Sequence, residues 1–150
     1  MDDHEAALRQ LLERQAIEEV LLRYASTIDY KDYATLRTLF CDDIRGQYGD
    51  VVVEGGDALL KWIDDMTVDK SWQHHLLSVY HIDLISDTEA EALTYHTSHQ
   101  IAHDAPDRCT RIIARYRDKL RKVDGSWKIA DKVMEIGWTD AFAAPPAGES

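Results

Sequence analysis

Six of the seven histidines lie between His74 and His103, and histidine is the side chain best suited to moving protons near neutral pH. The same clustering could serve a metal ion, but zinc needs three or four ligands that converge on one point. If this region forms strands, alternation divides the histidines between two faces, with His75 and His81 on one face and His74 on the other. The chain contains no HExxH pattern. We therefore expect no metal site.

A carboxylate outside the histidine region is the second candidate for chemistry. Asp29 follows a long stretch with helical spacing, and the helix dipole mildly disfavours a carboxylate at the C-terminal end of a helix. An acid in this position gains from a cationic partner. A turn residue is the alternative interpretation, because the sequence DYKD at residues 29–32 has the composition of a turn. Spacing alone leaves both interpretations open.

The elements that must position these residues change character near Met66. Before it, apolar residues recur in steps of three and four, which predicts helices from Glu5 to Ile28, Tyr33 to Phe40 and Gly56 to Met66. After it, the apolar residues alternate with a period of two, which is typical of strands. The strands predicted after Met66 are Leu76 to Leu84, Ala90 to His103, Arg108 to Val123 and Trp127 to Ile136, and one short strand, Ile44 to Tyr48, is predicted between the second and third helices.

Helices followed by a meander of strands predict an α+β fold. We expect a cone-shaped barrel in which about three N-terminal helices pack on a bent antiparallel sheet. A long helix over a curved sheet leaves a cavity of the kind that binds small molecules. Residues 1–140 are expected to form a single domain, because the chain contains no internal repeat or linker, and residues 141–150 are expected to form a disordered tail.

Composition restricts the partners. The 150 residues carry a formal net charge of −11, which repels phosphate backbones and anionic membranes, so we expect no nucleic-acid or membrane partner. Cys41 and Cys109 are interpreted as reduced thiols, and the acidic start of the chain lacks the features of a signal peptide, so a cytoplasmic location is expected. The second face of the sheet must also be covered, which a homodimer or homotrimer would do. Residues that could contribute to that contact are Tyr95, His99, Arg115 and Arg117.

Several segments carry a resemblance to one family. The stretch YASTIDYKDYATLRTLFCDD, residues 24–43, resembles the first two helices of SnoaL-like domains of the nuclear transport factor 2-like superfamily, and its pattern is closest to scytalone dehydratases. The segment DIRGQY ends at Tyr48, where those enzymes have an active-site tyrosine. WQHHLLS resembles their T-Q-H strand start, EALTYH their E-x-x-x-Y-H segment, and VDGSWKIADKVMEIGW their last hairpin. The similarity covers roughly residues 17–140.

This resemblance implies a catalytic pair. Asp29 takes the place of the family's aspartate, and His75 takes that of its catalytic histidine, because aligning Ser78 with the family's serine leaves His75 rather than His74 at that position. Tyr48 would hold a water molecule or a substrate carbonyl. An imidazole can take and return a proton, and a carboxylate on its other nitrogen fixes the tautomer and supports the cation that forms. No cofactor is implied.

The chain also departs from the scytalone dehydratase pattern. Ala102 aligns with the family's second active-site histidine, and His103 follows one residue late, so it would point away unless a bulge intervenes. Ala114 and Tyr116 replace a serine and an asparagine that bind substrate, and Ile28 replaces a second tyrosine. The resemblance therefore retains the acid–histidine pair while the substrate contacts differ, and scytalone itself is not the expected substrate.

Alternation also predicts the pocket walls. One face of the strand after residue 89 presents small and polar side chains that should look inward, and Ser98 and Gln100 are unusual core residues unless a polar ligand or water meets them. That face contains Ala90, Ala92, Thr94, His96, Ser98 and Gln100. The predicted substrate-binding residues are Tyr24, His96, Ser98, Gln100, Ile112 and Tyr116.

Two classes of function follow from these observations. The first is a cofactor-free lyase, dehydratase-like, that acts on a small hydrophobic hydroxy or carbonyl compound; an isomerase or polyketide-cyclase-type enzyme of the same fold remains open. The second is a non-catalytic ligand-binding module or a structural subunit like the small subunit of ring-hydroxylating dioxygenases. An intact acid–histidine pair argues against a pure scaffold, and fold alone does not decide.

Overall fold

A computed structural model describes residues 3–144, which form three α-helices and six β-strands. No helix in this part of the chain is both long enough and apolar enough to cross a membrane. In chain order, the elements are α1 (Asp3–Asp29), α2 (Tyr33–Thr38), β1 (Phe40–Tyr48), β2 (Val51–Glu54), α3 (Gly56–Thr67), β3 (Lys70–Leu84), β4 (Glu89–Ala102), β5 (Ala105–Val123) and β6 (Ser126–Ala143).

The six strands form one sheet in the order β2-β1-β6-β5-β4-β3, which confirms the predicted α+β class with N-terminal helices on a sheet. The strands from β3 to β6 form the expected antiparallel meander. The expectation of a purely antiparallel sheet is wrong at one pair, because β1 runs parallel to β6, with Tyr48 opposite Met134. These two strands are far apart in sequence, so no hairpin constrains their direction.

Two boundaries at the start of the sheet differ from the sequence prediction. The second helix ends at Thr38 instead of Phe40, because Phe40 pairs with Ile129 of β6 and begins β1. The strand β2 was not predicted, since its four residues are too few for a clear alternation. It pairs with the end of β1, where Tyr48 lies opposite Val51.

The strands that carry the histidines and the C-terminal strand are longer than predicted. β3 begins at Lys70, six residues before the predicted Leu76, so that His75 lies inside a strand. β6 continues to Ala143 because it pairs with the start of β5, so residues 141–143 of the predicted tail are strand. Residues 145–150 of that tail lie outside the described residues. A register shift between Val79 and His81 leaves His81 exposed, off the face that carries His75.

Helix α1 lies across the sheet and fixes the position of the site. Its apolar stripe is buried from Ile17 onward, through Leu21 and Tyr24 to Ile28, while its first half exposes three leucines to solvent. These buried residues belong to one core with the inner faces of the sheet and with Leu59 and Ile63 of α3. Burial of such aliphatic and aromatic side chains stabilises a fold by about 1.5–3 kcal/mol each. The end of α1 is thereby held against β3.

The outer face of the sheet exposes several large apolar side chains. Trp72, Leu76, Tyr80, Tyr95 and Trp138 each have between 41% and 61% of their surface accessible. Exposed apolar area of this kind marks interaction surfaces in many proteins. The homodimer or homotrimer expected from the sequence stays a prediction.

Candidate active site

Asp29 and His75 meet at the junction of α1 and β3. Asp29 Oδ1 lies 2.5 Å from His75 Nδ1, and Asp29 Oδ2 accepts a hydrogen bond of 2.9 Å from the backbone N–H of His75. Only 7% of the His75 side chain and 15% of the Asp29 side chain are exposed. With Nδ1–H donating to the carboxylate, Nε2 is the ring nitrogen left for a ligand. The carboxylate thus fixes both the ring and the strand that carries it.

Neighbouring contacts explain why the helix end and the strand stay together. Gln73 Nε2 donates to the carbonyl of Ile28 at 3.2 Å, and Lys31 Nζ donates to the carbonyl of Lys70 at 2.8 Å. The Ile28 carbonyl is one of the last of α1, and it also accepts a hydrogen bond of 3.1 Å from the backbone N–H of Lys31. These two hydrogen bonds join the end of α1 and the residues after it to β3, next to the Asp29–His75 contact.

His75 lines a cavity of about 280 Å³ between α1, α3 and the sheet. Its walls are mostly apolar. Helix α3 supplies four lining residues that sequence analysis missed, namely Trp62, Ile63, Met66 and Thr67. A groove of larger volume, about 680 Å³, lies beside the middle of α1 and is lined by neither His75 nor Tyr48. The predicted residues that line the cavity are His75, Tyr48, Tyr24, His96, Ser98, Gln100, Ile112 and Tyr116.

A pair of tyrosines forms the polar part of one wall. The hydroxyl oxygens of Tyr24 and Tyr48 lie 2.7 Å apart, and the Tyr48 ring packs on Trp62 with 4.5 Å between ring centroids. Burial raises the pKa of both tyrosines, so both hydroxyls keep their protons at neutral pH. One hydroxyl proton satisfies the bond between them, and the other is available to a ligand oxygen.

His96 lies in the cavity as a neutral imidazole. Its ring stacks on that of His75 at a centroid distance of 5.2 Å and packs at a tilt against that of Tyr116 at 4.8 Å, and only 3% of its surface is exposed. Burial, followed by the nearness of His75 and Lys132, lowers the pKa of His96 to about 3. Neither ring nitrogen has a hydrogen-bond partner among the described residues, and the same holds for the buried hydroxyl of Ser98. Buried polar atoms of this kind are usually satisfied by a ligand or an ordered water.

An ion pair behind the cavity was missed by sequence analysis. Lys132 Nζ lies 2.7 Å from Asp118 Oδ1, and these side chains are 1% and 0% exposed. The two residues are direct neighbours across β5 and β6. Burial raises the pKa of Asp118 and lowers that of Lys132, and their mutual attraction opposes both shifts. Alternation along β5 could have revealed this pair, because Asp118 lies two residues after Tyr116 and therefore faces the same, inner side of the sheet. A charged residue is rarely found in a core, so this pattern was not interpreted as burial.

The remaining histidines do not join the site. His103 follows the end of β4 in a turn, is exposed and is not among the residues that line the cavity. His74 and His99 stack on each other at 6.0 Å, away from the residues that line the cavity. Within residues 3–144, no group of three or more histidine, cysteine, aspartate or glutamate side chains could hold a metal ion.

Comparison with known proteins agrees with this fold. The family model described as the SnoaL-like domain matches residues 9–133. A candidate scytalone dehydratase from Novosphingobium aromaticivorans is 25% identical, with a TM-score of 0.82, and the match covers 94% of this chain and 97% of that one. No curated protein sequence is significantly similar to the chain.

Two further solved structures, both below 25% identity, show the fold alone. A type 2 hexachlorocyclohexane dehydrochlorinase is 17% identical, with a TM-score of 0.83 over 94% of this chain and 99% of that one. A candidate aromatic ring hydroxylase from Novosphingobium aromaticivorans is 18% identical, with a TM-score of 0.80 over 88% of this chain and 94% of that one.

Proposed function

This chain belongs to the family of SnoaL-like domains, and we propose that it is a cofactor-free lyase that removes water from a small, mostly apolar hydroxy-carbonyl compound. The observation that carries the proposal is the contact between Asp29 and His75 at the wall of an apolar cavity. The similarity to a candidate scytalone dehydratase supports dehydration as the type of reaction.

The proposed mechanism uses His75 as the base. Its Nε2 takes the proton from the carbon next to the substrate carbonyl, and the C–H electron pair moves onto the carbonyl as an enolate. Tyr48, which shares a hydrogen bond with Tyr24, donates to that oxygen as its charge develops. The enolate then forms the C=C bond while the C–O bond to the β-hydroxyl breaks, and the imidazolium returns its proton to the departing oxygen. The products are an unsaturated carbonyl compound and water.

Asp29 has an orienting role in this scheme. It accepts from Nδ1–H, which keeps Nε2 unprotonated and stabilises the imidazolium that forms after proton transfer. His96 does not compete for this role, because its lowered pKa makes it a poor base; it is a hydrogen-bond partner for the substrate. A cavity of about 280 Å³ is close to the lower end of the range of about 300–1,000 Å³ that is typical of small-molecule sites, which suits a small substrate.

Isomerisation is the second candidate, because the same base and tyrosine pair would serve any reaction that passes through an enolate. The two reactions differ in mass balance: dehydration releases water, whereas isomerisation moves a proton and leaves the mass unchanged. The hexachlorocyclohexane dehydrochlorinase is named for the elimination of hydrogen chloride, and at its level of identity it adds only the fold.

The test is a screen of β-hydroxy ketones and hydroxylated aromatic precursors for a new conjugated chromophore, with product mass measured in parallel. For an authentic substrate, His75→Ala should lower turnover by about 100- to 10,000-fold with the fold retained. Asp29→Asn should lower it by a smaller factor, since it affects only orientation and charge. His74→Ala, next to His75 but exposed on the outer face, is the matched control. Turnover by His75→Ala at the wild-type rate would refute the mechanism and leave the cavity as a binding site.

A further inference from the structure

The buried ion pair of Lys132 and Asp118 has no part in the mechanism above. Both side chains are at most 1% exposed, and neither lines the cavity. Removing two charges from water is costly, and replacing such a pair by apolar residues often leaves stability unchanged or improved. Stability alone therefore does not account for a lysine and an aspartate in the centre of this core.

The position of the ammonium indicates what it acts on. Lys132 Nζ lies 4.2 Å from the ring centroid of Tyr24 and 4.0 Å from that of Tyr116. A desolvated cation over an aromatic face is attracted by the ring's quadrupole, so both rings are held in place by one charge. Both rings also form part of the cavity wall, and the Tyr24 hydroxyl meets that of Tyr48. The ammonium is thus one aromatic ring away from a ligand.

We propose that Lys132 is a positioning residue that acts through Tyr24 and Tyr116. Held by Asp118, its ammonium fixes the two rings and biases the cavity toward a ligand with a negatively charged oxygen, of the enolate or phenolate class. Asp118 opposes this bias: after burial, its negative charge is among the causes that raise the pKa of Tyr24, Tyr48 and Tyr116. The ammonium, however, is the end of the pair that contacts the two rings. The link to catalysis rests on the proposed function, because an enolate is the intermediate there. The electrostatic preference itself is a property of binding and does not depend on turnover.

The probe is 4-nitrophenol, whose ionised and neutral forms differ in absorbance. Titration of the bound probe with pH gives its pKa in the cavity, and the wild-type protein should bind the ionised form more tightly than the neutral form. Two double variants each remove one charge of each sign and keep the net charge: Lys132→Gln with Asp118→Asn, and Lys132→Met with Asp118→Leu. In both, the pKa of the bound probe should rise by about half a unit, which is about three-fold in the preference for the ionised form.

The matched control is the neighbouring cross-strand pair on the opposite face. Lys119 lies opposite Asp131 one position along the same two strands; Lys119 is exposed, and Asp131 pairs with Arg45 at 3.7 Å. Lys119→Gln with Asp131→Asn therefore removes one charge of each sign away from the tyrosines. That variant should keep the wild-type value. Circular dichroism and the melting temperature report whether each variant folds.

Three results would overturn the inference. The wild-type protein could bind the neutral probe more tightly than the ionised probe, or it could bind neither form. A folded double variant at Lys132 and Asp118 could also keep the wild-type preference for the ionised probe. The first two need no variant and so hold even if the inner variants fail to fold. Full turnover by His75→Ala would instead overturn the proposed lyase mechanism. The preference of the cavity for the ionised probe would still be tested by the probe measurement alone.

Discussion

Acidification should destabilise the protein through His96. An unfolded histidine has a pKa of about 6.5, whereas burial and two neighbours lower that of His96 to about 3 in the folded state. The unfolded chain therefore binds this proton at higher pH than the folded chain does. The contribution of His96 to the free energy of unfolding is complete above about pH 6.5, and it is lost as the pH falls toward 3. At pH 5 the loss amounts to about 2 kcal/mol, a sizeable part of the ~5–15 kcal/mol that is typical of folded proteins.

Urea denaturation at pH 7 and pH 5 measures this loss. His96→Phe keeps a ring between His75 and Tyr116 and removes the titration, so its free energy of unfolding should fall by about 2 kcal/mol less than that of the wild type over this interval. Other carboxylates and histidines titrate in both proteins, and their contributions cancel in the comparison. Thr97→Val, one position away on the same strand, removes no ionisable group and should follow the wild type. Equal pH dependence of His96→Phe and wild type would refute the reasoning.

Two further outcomes concern the tyrosine pair and metals. Tyr48→Phe leaves the Tyr24 hydroxyl buried without its partner, so the free energy of unfolding should fall by about 1–3 kcal/mol and turnover should fall as well; an unchanged kcat would exclude Tyr48 from the mechanism. Treatment with a chelator should change neither activity nor melting temperature, because no converging set of ligands was found in residues 3–144; stoichiometric zinc in the purified protein would contradict this.

Long periodic segments made the helices and the meander predictable from the sequence. The stripe from Ile17 to Ile28 identified the buried face of α1, and alternation identified the inner face of β4. The errors lie where pairing between distant segments overrides the local pattern. Phe40 looks like the end of a helix by spacing, yet its pairing with Ile129 makes it strand. Such partners are not visible in a local window.

The candidate site divides along the same line. Asp29, His75 and Tyr48 came from matching motifs, and the wall residues of β4 and β5 came from alternation. Trp62 was missed because a single helix pattern does not reveal which side covers an opening. Lys132 was missed because a charged residue in a strand is ordinarily interpreted as solvent-facing, although its cross-strand neighbour Asp118 lies on an inward-facing column.

In the proposed mechanism, the two hydrogen bonds that the Asp29 carboxylate makes with His75 mean that a competent base forms only when α1 has docked against β3. Residues 29 and 75 are 46 positions apart, and the same side chain holds both the backbone and the ring of His75. A chain with a fully formed α1 and a fully formed β3 still lacks an oriented imidazole until the two have docked. During refolding, the circular-dichroism signal of the helices would therefore return before turnover does. The recovery of turnover would report the docking of α1 against β3. Local opening of this junction in the native protein would leave the His75 ring without its orienting carboxylate, while most of the sheet stayed intact.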